Sequence, residues 1–144
     1  MACLSMEEAD ARRWQVAFAT CVDCDFGALF KVDEDLWLEA LGDTYVRSGR
    51  KNHPGCSLRK HNATLGPIPL LHGTSNKPRK PCIEAVPVRN VYGKRHTTWF
   101  GGLDPVPMAF AELWRSRRIV AAEKPKLDTE ETVAMLGLCA RRGW

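Results

Sequence analysis

The residues best suited to chemistry in this chain are an imidazole and the cationic side chains just before it. His53 stands directly before Pro54 and follows the basic run Arg50-Lys51-Asn52. An imidazole, with an unperturbed pKa of about 6.5, can accept or donate a proton at neutral pH. An arginine beside it can bind a phosphate through two parallel hydrogen bonds. The segment therefore predicts acid–base chemistry on a phosphate ester, and the plainer alternative is a solvated turn before a strand.

Two adjacent hydroxyl groups form a second candidate for chemistry. Thr74 and Ser75 follow Gly73 near the middle of the chain. A hydroxyl can orient a phosphate or complete a proton path, but Thr-Ser after glycine is also an ordinary turn or cap signal. The sequence leaves both interpretations open.

Charge is distributed unevenly along the chain. Residues 1–41 hold three Lys/Arg and nine Asp/Glu, a net charge of −6, whereas residues 42–144 hold eighteen and eight, a net charge of +10. Residues 42–100 alone carry eleven basic and two acidic side chains, a net charge of +9. Positive potential of this density attracts polyanions, so we expect nucleic-acid binding rather than a merely solvated basic surface.

The residues expected to contact nucleic acid lie within this basic region. Cationic side chains neutralise phosphates, and an aromatic ring such as that of Trp99 can stack on a single-stranded base, although aromatic residues are more often core. The predicted contact residues are Arg47, Lys51, Ser75, Lys77, Arg79, Lys80 and Trp99.

The cysteines do not form a recognisable metal site. Cys21 and Cys24 have the spacing of half a structural zinc site, but no second Cys-x-x-Cys or His-x-x-x-His pair occurs. We therefore expect no metal and no other cofactor. The six cysteines are scattered, which favours reduced thiols and a cytoplasmic protein. No run of about 18 apolar residues could cross a bilayer, so no membrane association is expected.

Helix signals mark both ends of the chain. Residues 5–8 have the Ser-x-x-Glu form of a capping box and predict a first, amphipathic helix reaching about Cys21, with Met6 on its apolar face. Asp33 can cap a short second helix. Residues 128–131 form another capping box and predict a terminal helix.

Between the helices, short β-prone runs are broken by Gly, Pro, Asn and Lys, which is typical of a small antiparallel barrel. The predicted strands are Thr44–Arg47, Gly55–Arg59, Ile68–Leu71, Ile83–Tyr92 and His96–Phe100. Residues 105–120 fit either a helix or a last strand, and we favour the helix.

The order of these segments resembles the MazF/PemK family of toxin endoribonucleases. The matching segments are Gly42-Asp43-Thr44-Tyr45-Val46 with the family's opening strand, Arg50–Leu58 with its strand after a basic loop, Ile68–Ser75 with the strand that ends in a catalytic Thr or Ser, and Lys126–Glu131 with the entry to its closing helix. The resemblance covers residues 42–140 and implies an SH3-like barrel that pairs as a homodimer.

That resemblance also implies a reaction. In the family, RNA is cut without a metal: the ribose 2′-OH attacks the adjacent phosphate and leaves a 2′,3′-cyclic phosphate and a free 5′-OH. By position, the resemblance places the catalytic roles on His53 and on Thr74 or Ser75. His53 stands where the family commonly has arginine, which departs from the motif. His53 would then be the base, Arg50 or Lys51 would hold the scissile phosphate, and Thr74 would orient it.

The sequence therefore predicts a mainly β protein with flanking helices: an acidic helical extension over residues 1–41 and an SH3-like barrel with a C-terminal helix over residues 42–144. The predicted function is a toxin-like endoribonuclease that cleaves single-stranded RNA, with an acidic antitoxin-type protein as a partner. The alternatives are a non-catalytic adaptor, in which a degenerate barrel binds nucleic acid or protein, and a module whose basic face docks an acidic protein.

Overall fold

The structure is a computed structural model that describes residues 5–60, 66–78, 84–93 and 95–144, without the side chains of residues 15–17 and 19–21. The elements in chain order are α1 (Met6–Cys21), β1 (Ala28–Asp33), α2 (Glu34–Leu41), a 3-10 turn (Gly42–Thr44), β2 (Asn52–Ser57), β3 (Ile68–Thr74), β4 (Val86–Arg89), β5 (Thr97–Phe100), β6 (Val106–Met108), α3 (Phe110–Arg115), β7 (Ile119–Lys126) and α4 (Thr129–Arg142).

The strands form one curled antiparallel sheet in the order β4-β5-β3-β2-β1-β7, and β6 pairs with the first part of β3. The predicted class, mainly β with flanking helices, is confirmed. Within the described residues, none of the helices combines the length and the apolarity that a bilayer crossing requires.

Strand β1 lies in the region that the sequence analysis assigned to a helical extension. It pairs with β2 on one side and β7 on the other, as in the pairs Phe30–Gly55 and Phe30–Ala121. Its residues point alternately into two apolar clusters, with Phe30 in one and Leu29 in the other. A strand buried on both faces tends to be apolar throughout, so a search for alternating apolar and polar residues does not identify it. The expected helical extension is thus interrupted by a core strand.

The helix predictions near the chain ends are confirmed, with one error of detail. Ser5 accepts a hydrogen bond from the Glu8 amide and begins α1, and Asp128 and Glu131 form the full reciprocal capping box of α4. The predicted apolar face of α1 fails at Met6, which is 83% exposed, because the helix contacts the core only further along, through Trp14 and Phe18.

The predicted opening strand at Thr44–Arg47 is wrong. The chain there forms a 3-10 turn and a loop, because the backbone amides of Ser48 and Gly49 donate to the buried carboxylate of Glu34 instead of to a neighbouring strand. The predicted strands at 55–59, 68–71 and 96–100 overlap β2, β3 and β5. Of the predicted strand at 83–92, residues 86–89 form β4, and residue 83 lies outside the described residues.

Both alternatives for residues 105–120 occur in the structure. The favoured helix is correct for Phe110–Arg115, but it is short and lies between β6 and the start of β7. Arg117 adopts a positive φ of 60°, and this residue turns the chain from α3 into β7. A helical pattern of so few residues could not exclude strands on either side.

Candidate active-site cleft

A surface cleft of about 310 Å³ opens beside β2, the end of β3 and the turn between β4 and β5. Its walls carry several cationic or titratable side chains. The lining residues are Arg50, Lys51, Asn52, His53, Pro54, Ser75, Tyr92, His96, Thr97 and Thr98. We call this feature the cleft.

Glu34 lies behind the cleft as the first residue of α2, where its side chain is buried. Its Oε2 accepts hydrogen bonds from the Tyr45 hydroxyl at 2.6 Å and the Ser48 hydroxyl at 2.8 Å. The same oxygen lies 2.6 Å from His53 Nε2. We call Glu34, Tyr45, Ser48 and His53 the Glu34 cluster. Since a buried carboxylate is costly unless it is fully hydrogen-bonded, these donors explain how the cluster tolerates burial.

Two members of the Glu34 cluster, Glu34 and Tyr45, have charge states set by their surroundings. The hydrogen bond from Tyr45, followed by those from Ser48 and His53, holds the pKa of Glu34 well below its usual value. Burial, and then the bond to Glu34, raises the pKa of the Tyr45 hydroxyl. The carboxylate is therefore ionised and the phenol protonated at neutral pH.

The ionised carboxylate determines which nitrogen of His53 carries the proton. A carboxylate can only accept hydrogen bonds, so Nε2 is the protonated nitrogen of the neutral ring. Nδ1 then has a free lone pair, and it has no hydrogen-bond partner among the residues that the structure describes. The backbone of His53 is held as well, because Trp37 Nε1 donates to its carbonyl at 3.4 Å. An oriented imidazole on a cleft wall is suited to act as a general base.

His72 lies next to the Glu34 cluster but does not line the cleft. Its ring centroid is 5.3 Å from that of His53 and 4.9 Å from that of Trp37. Its Nε2 is buried and lacks a hydrogen-bond partner in the described part of the chain. Burial, and then the neighbouring His53, lowers the pKa of His72 to about 4. His72 is therefore neutral at neutral pH and packs as an aromatic ring.

The structure brings four of the predicted site residues together. His53, Arg50, Lys51 and Ser75 all line the cleft. Thr74 does not, and its hydroxyl accepts a hydrogen bond from the Asn76 amide at 3.3 Å. Thr74 thus makes the turn contact that was the alternative interpretation of this residue.

Three further predicted contact residues, Arg47, Lys77 and Trp99, do not line the cleft. Arg47 pairs with Asp35, and its Nε lies 3.9 Å from Glu34 Oε1. Lys77 Nζ lies over the ring of Trp99, 5.4 Å from its centroid, so these two form a separate surface pair. Arg79 and Lys80 lie outside the described residues.

Acidic residues of the first 41 positions neutralise part of the later basic region. The pairs are Asp23 with Lys126, Asp25 with Arg59, Asp33 with Arg118 and Asp35 with Arg47. By contrast, Arg50, Lys51 and Lys77 have no ion-pair partner in the described segments. Arg50 and Lys51 at the cleft, and Lys77 beside Trp99, are therefore available to a ligand.

Several residues of the site were missed by the sequence analysis. Glu34 follows Asp33, the predicted cap of the second helix, and Tyr45 was placed in the predicted opening strand. Tyr92 and His96 were predicted only as the end of one strand and the start of the next, yet both line the cleft. Tyr92 donates to Asn52 Oδ1 at 3.2 Å, and burial raises its pKa to about 12. The sequence marked these residues only by their titratable side chains. No local pattern shows that distant segments of the chain meet at the cleft.

Cys24 is a buried free thiol, and the side chain of Cys21 lies outside what the structure describes. Among the described residues, no three His, Cys, Asp or Glu side chains converge as metal ligands.

Comparison with protein-family models, with curated proteins and with solved structures finds no match to this chain. Its function must therefore be inferred from the geometry of the cleft.

Proposed function

We propose that this protein is an endoribonuclease that cleaves single-stranded RNA by metal-free transesterification in the cleft. The observation that carries the proposal is the Glu34–His53 pair, an imidazole that lines the cleft and is held by an ionised carboxylate at 2.6 Å. Arg50 and Lys51 line the same cleft and make no ion pair with any residue that the structure describes. The cleft thus combines a base with a binding site for phosphate.

The reaction begins with removal of a proton from the ribose 2′-OH. His53 Nδ1 accepts this proton, and the 2′-oxygen attacks the adjacent phosphorus. The bond from phosphorus to the 5′-oxygen breaks, which leaves a 2′,3′-cyclic phosphate and a 5′-oxygen that takes up a proton. Glu34 positions the ring and stabilises the imidazolium that forms. General-base help of this kind contributes roughly 10²- to 10⁴-fold to a rate.

Arg50 and Lys51 hold the scissile phosphate in this proposal. Both side chains are exposed and line the cleft, directly before the strand that carries His53. The guanidinium of Arg50 can contact two phosphate oxygens at once, and Lys51 adds a point charge. Ser75, rather than Thr74, supplies the hydroxyl on this wall.

The chemistry selects RNA over DNA because the nucleophile is the 2′-OH. Single-stranded substrate is favoured because the Lys77–Trp99 pair offers a partly exposed ring on which a base can stack. Positive potential at the cleft would speed the encounter with the polyanion.

The proposal includes a more specific fold for the sheet. We assign the curled sheet to the SH3-like barrels of the MazF/PemK type, on the strength of the segment resemblance and the mainly β architecture. A homodimer, an acidic antitoxin-type partner and a cytoplasmic location stay predictions of that assignment.

The test is cleavage of a fluorescently labelled mixed-sequence RNA in the presence of EDTA. Wild type should cut the RNA and leave 2′,3′-cyclic phosphate ends, and His53→Ala should lose about 10²-fold or more of the rate. A substrate with 2′-deoxyribose throughout should not be cut. Thr74→Ala, which alters a hydroxyl outside the cleft, is the matched control and should cut at a rate close to wild type. Equal residual cleavage by wild type and His53→Ala would refute the proposal.

A second candidate function is a non-catalytic nucleic-acid-binding adaptor. The observation that favours it is the Lys77–Trp99 pair, because this surface could bind single strands without any chemistry in the cleft. Under this alternative, wild type binds a single-stranded oligonucleotide and Trp99→Ala weakens binding, but no RNA is cut. Measuring binding and cleavage on the same preparation separates the two functions.

A further inference from the structure

The cleft contains a second imidazole that the proposed reaction has not yet used. His96 lies directly before β5 and lines the same cleft as His53. Its side chain is exposed, and among the described residues its ring has no hydrogen-bond or ion-pair partner. Its backbone is fixed, because its carbonyl accepts from the Asn90 amide at 3.0 Å in the turn between β4 and β5.

We propose that His96 is the general acid that protonates the departing 5′-oxygen. This inference rests on the proposed function and completes its proton balance. His53 takes one proton from the 2′-OH, and His96 gives one proton to the 5′-oxygen as the bond from phosphorus to that oxygen breaks. His53 gains a proton and His96 loses one, so the total number of protons on the two rings is unchanged.

The positions of the two imidazoles suit an in-line displacement. The attacking and leaving oxygens lie on opposite sides of the phosphorus, so base and acid must approach from opposite sides. His53 is on β2 and His96 precedes β5, and these strands flank β3 on its two sides. Both imidazoles line the cleft, whose volume of about 310 Å³ has room for a phosphodiester.

The other donors on the cleft walls are less suited to this role. Tyr92 donates its proton to Asn52 Oδ1, and a pKa of about 12 makes it a weak acid at neutral pH. Arg50 does not give up a proton in proteins. An imidazolium is the side chain whose acidity best matches proton donation near neutral pH.

The experiment compares two substrates that differ only in the leaving group. One is a dinucleotide, whose 5′-oxygen must be protonated as it departs. The other is the corresponding nucleoside 3′-(4-nitrophenyl phosphate), whose phenolate departs without a proton. His96→Ala should lose roughly 10²- to 10⁴-fold on the dinucleotide but stay within a few-fold of wild type on the nitrophenyl ester. His53→Ala should lose activity on both substrates, because both need the base.

Arg95→Ala is the matched control, because Arg95 is exposed, neighbours His96 and does not line the cleft. It should cleave both substrates at rates close to wild type. His96→Gln serves as a second variant and should reproduce the pattern of His96→Ala. Thermal unfolding of each variant shows whether it is folded.

The outcomes separate this inference from the proposed function. If wild type cleaves the dinucleotide and folded His96→Ala and His96→Gln cleave it equally well, His96 is not the acid, although the endonuclease proposal stands. Equal loss on both substrates would also overturn the inference, because the residue would then act in binding or in folding. If wild type cleaves neither substrate and does not cut RNA, the proposed function itself fails.

Discussion

The buried ring of His72 should make the stability of this protein depend on pH in a defined window. Its pKa falls from 6.5 to about 4 on folding, because burial disfavours the imidazolium and the neighbouring His53 adds to the effect. The unfolded chain therefore binds more protons than the folded chain between these two values. Stability is fully present above pH 6.5 and is lost as the pH falls toward 4.

The size of the loss follows from the shift in pKa. One pKa unit corresponds to about 1.4 kcal/mol, so the full window is worth about 3 kcal/mol. About 2 kcal/mol of this should already be lost between about pH 7.5 and about pH 5. The Glu34 carboxylate does not interfere in that range. Because folding lowers the pKa of Glu34, the stability that its ionised form contributes is lost only as the pH falls below the unfolded pKa of 4.5.

Urea-induced unfolding followed by tryptophan fluorescence, at about pH 7.5, 6 and 5, measures this dependence. His72→Phe keeps the aromatic contact with Trp37 and removes the titrating nitrogen. The free energy of unfolding lost between about pH 7.5 and about pH 5 should therefore be smaller than in wild type by about 2 kcal/mol. Its stability at about pH 7.5 should equal or exceed wild type, since it also removes a buried nitrogen that has no hydrogen-bond partner among the described residues. His72→Gln is neutral but polar and should be equally flat. If wild type and both variants lose the same stability between pH 7.5 and 5, the reasoning is refuted.

The remaining predictions concern the sheet and its attachments. A chain truncated to residues 42–144 should show no cooperative unfolding by circular dichroism, because it lacks β1, which pairs with β2 and β7; a sharp transition would contradict this placement. Glu131→Ala should lower the free energy of unfolding by about 2 to 3 kcal/mol, since Glu131 accepts from Lys124 Nζ at 2.6 Å, and Glu131→Gln should lose less. Gly73→Ala should destabilise by about 1 to 3 kcal/mol, because its Cβ would lie 2.6 Å from Thr98 Cγ2; an unchanged urea midpoint would show that the strands can separate.

Elements with local signals could be predicted without the structure. The predicted caps Ser5 and Asp128 both start helices, because the groups that satisfy the first amides lie within four residues of one another. The segments around β3 and β5 were recognisable as strands from their β-prone composition. The basic segment before β2 was also identified from residue types alone, and it does line the cleft.

The position of β1 and the meeting of the cleft side chains depend on long-range folding. Burial on both faces removed the alternating pattern from β1, so its place between β2 and β7 depended on partners distant in the chain. The Glu34 carboxylate reaches His53 because α2 follows β1, which pairs with the strand carrying that histidine. His96 arrives at the same cleft by way of the turn into β5. Such convergence depends on strand pairing between distant segments, which produces no recognisable spacing in the sequence. Residue types alone could therefore suggest basic and titratable candidates but could not show that they form one cleft.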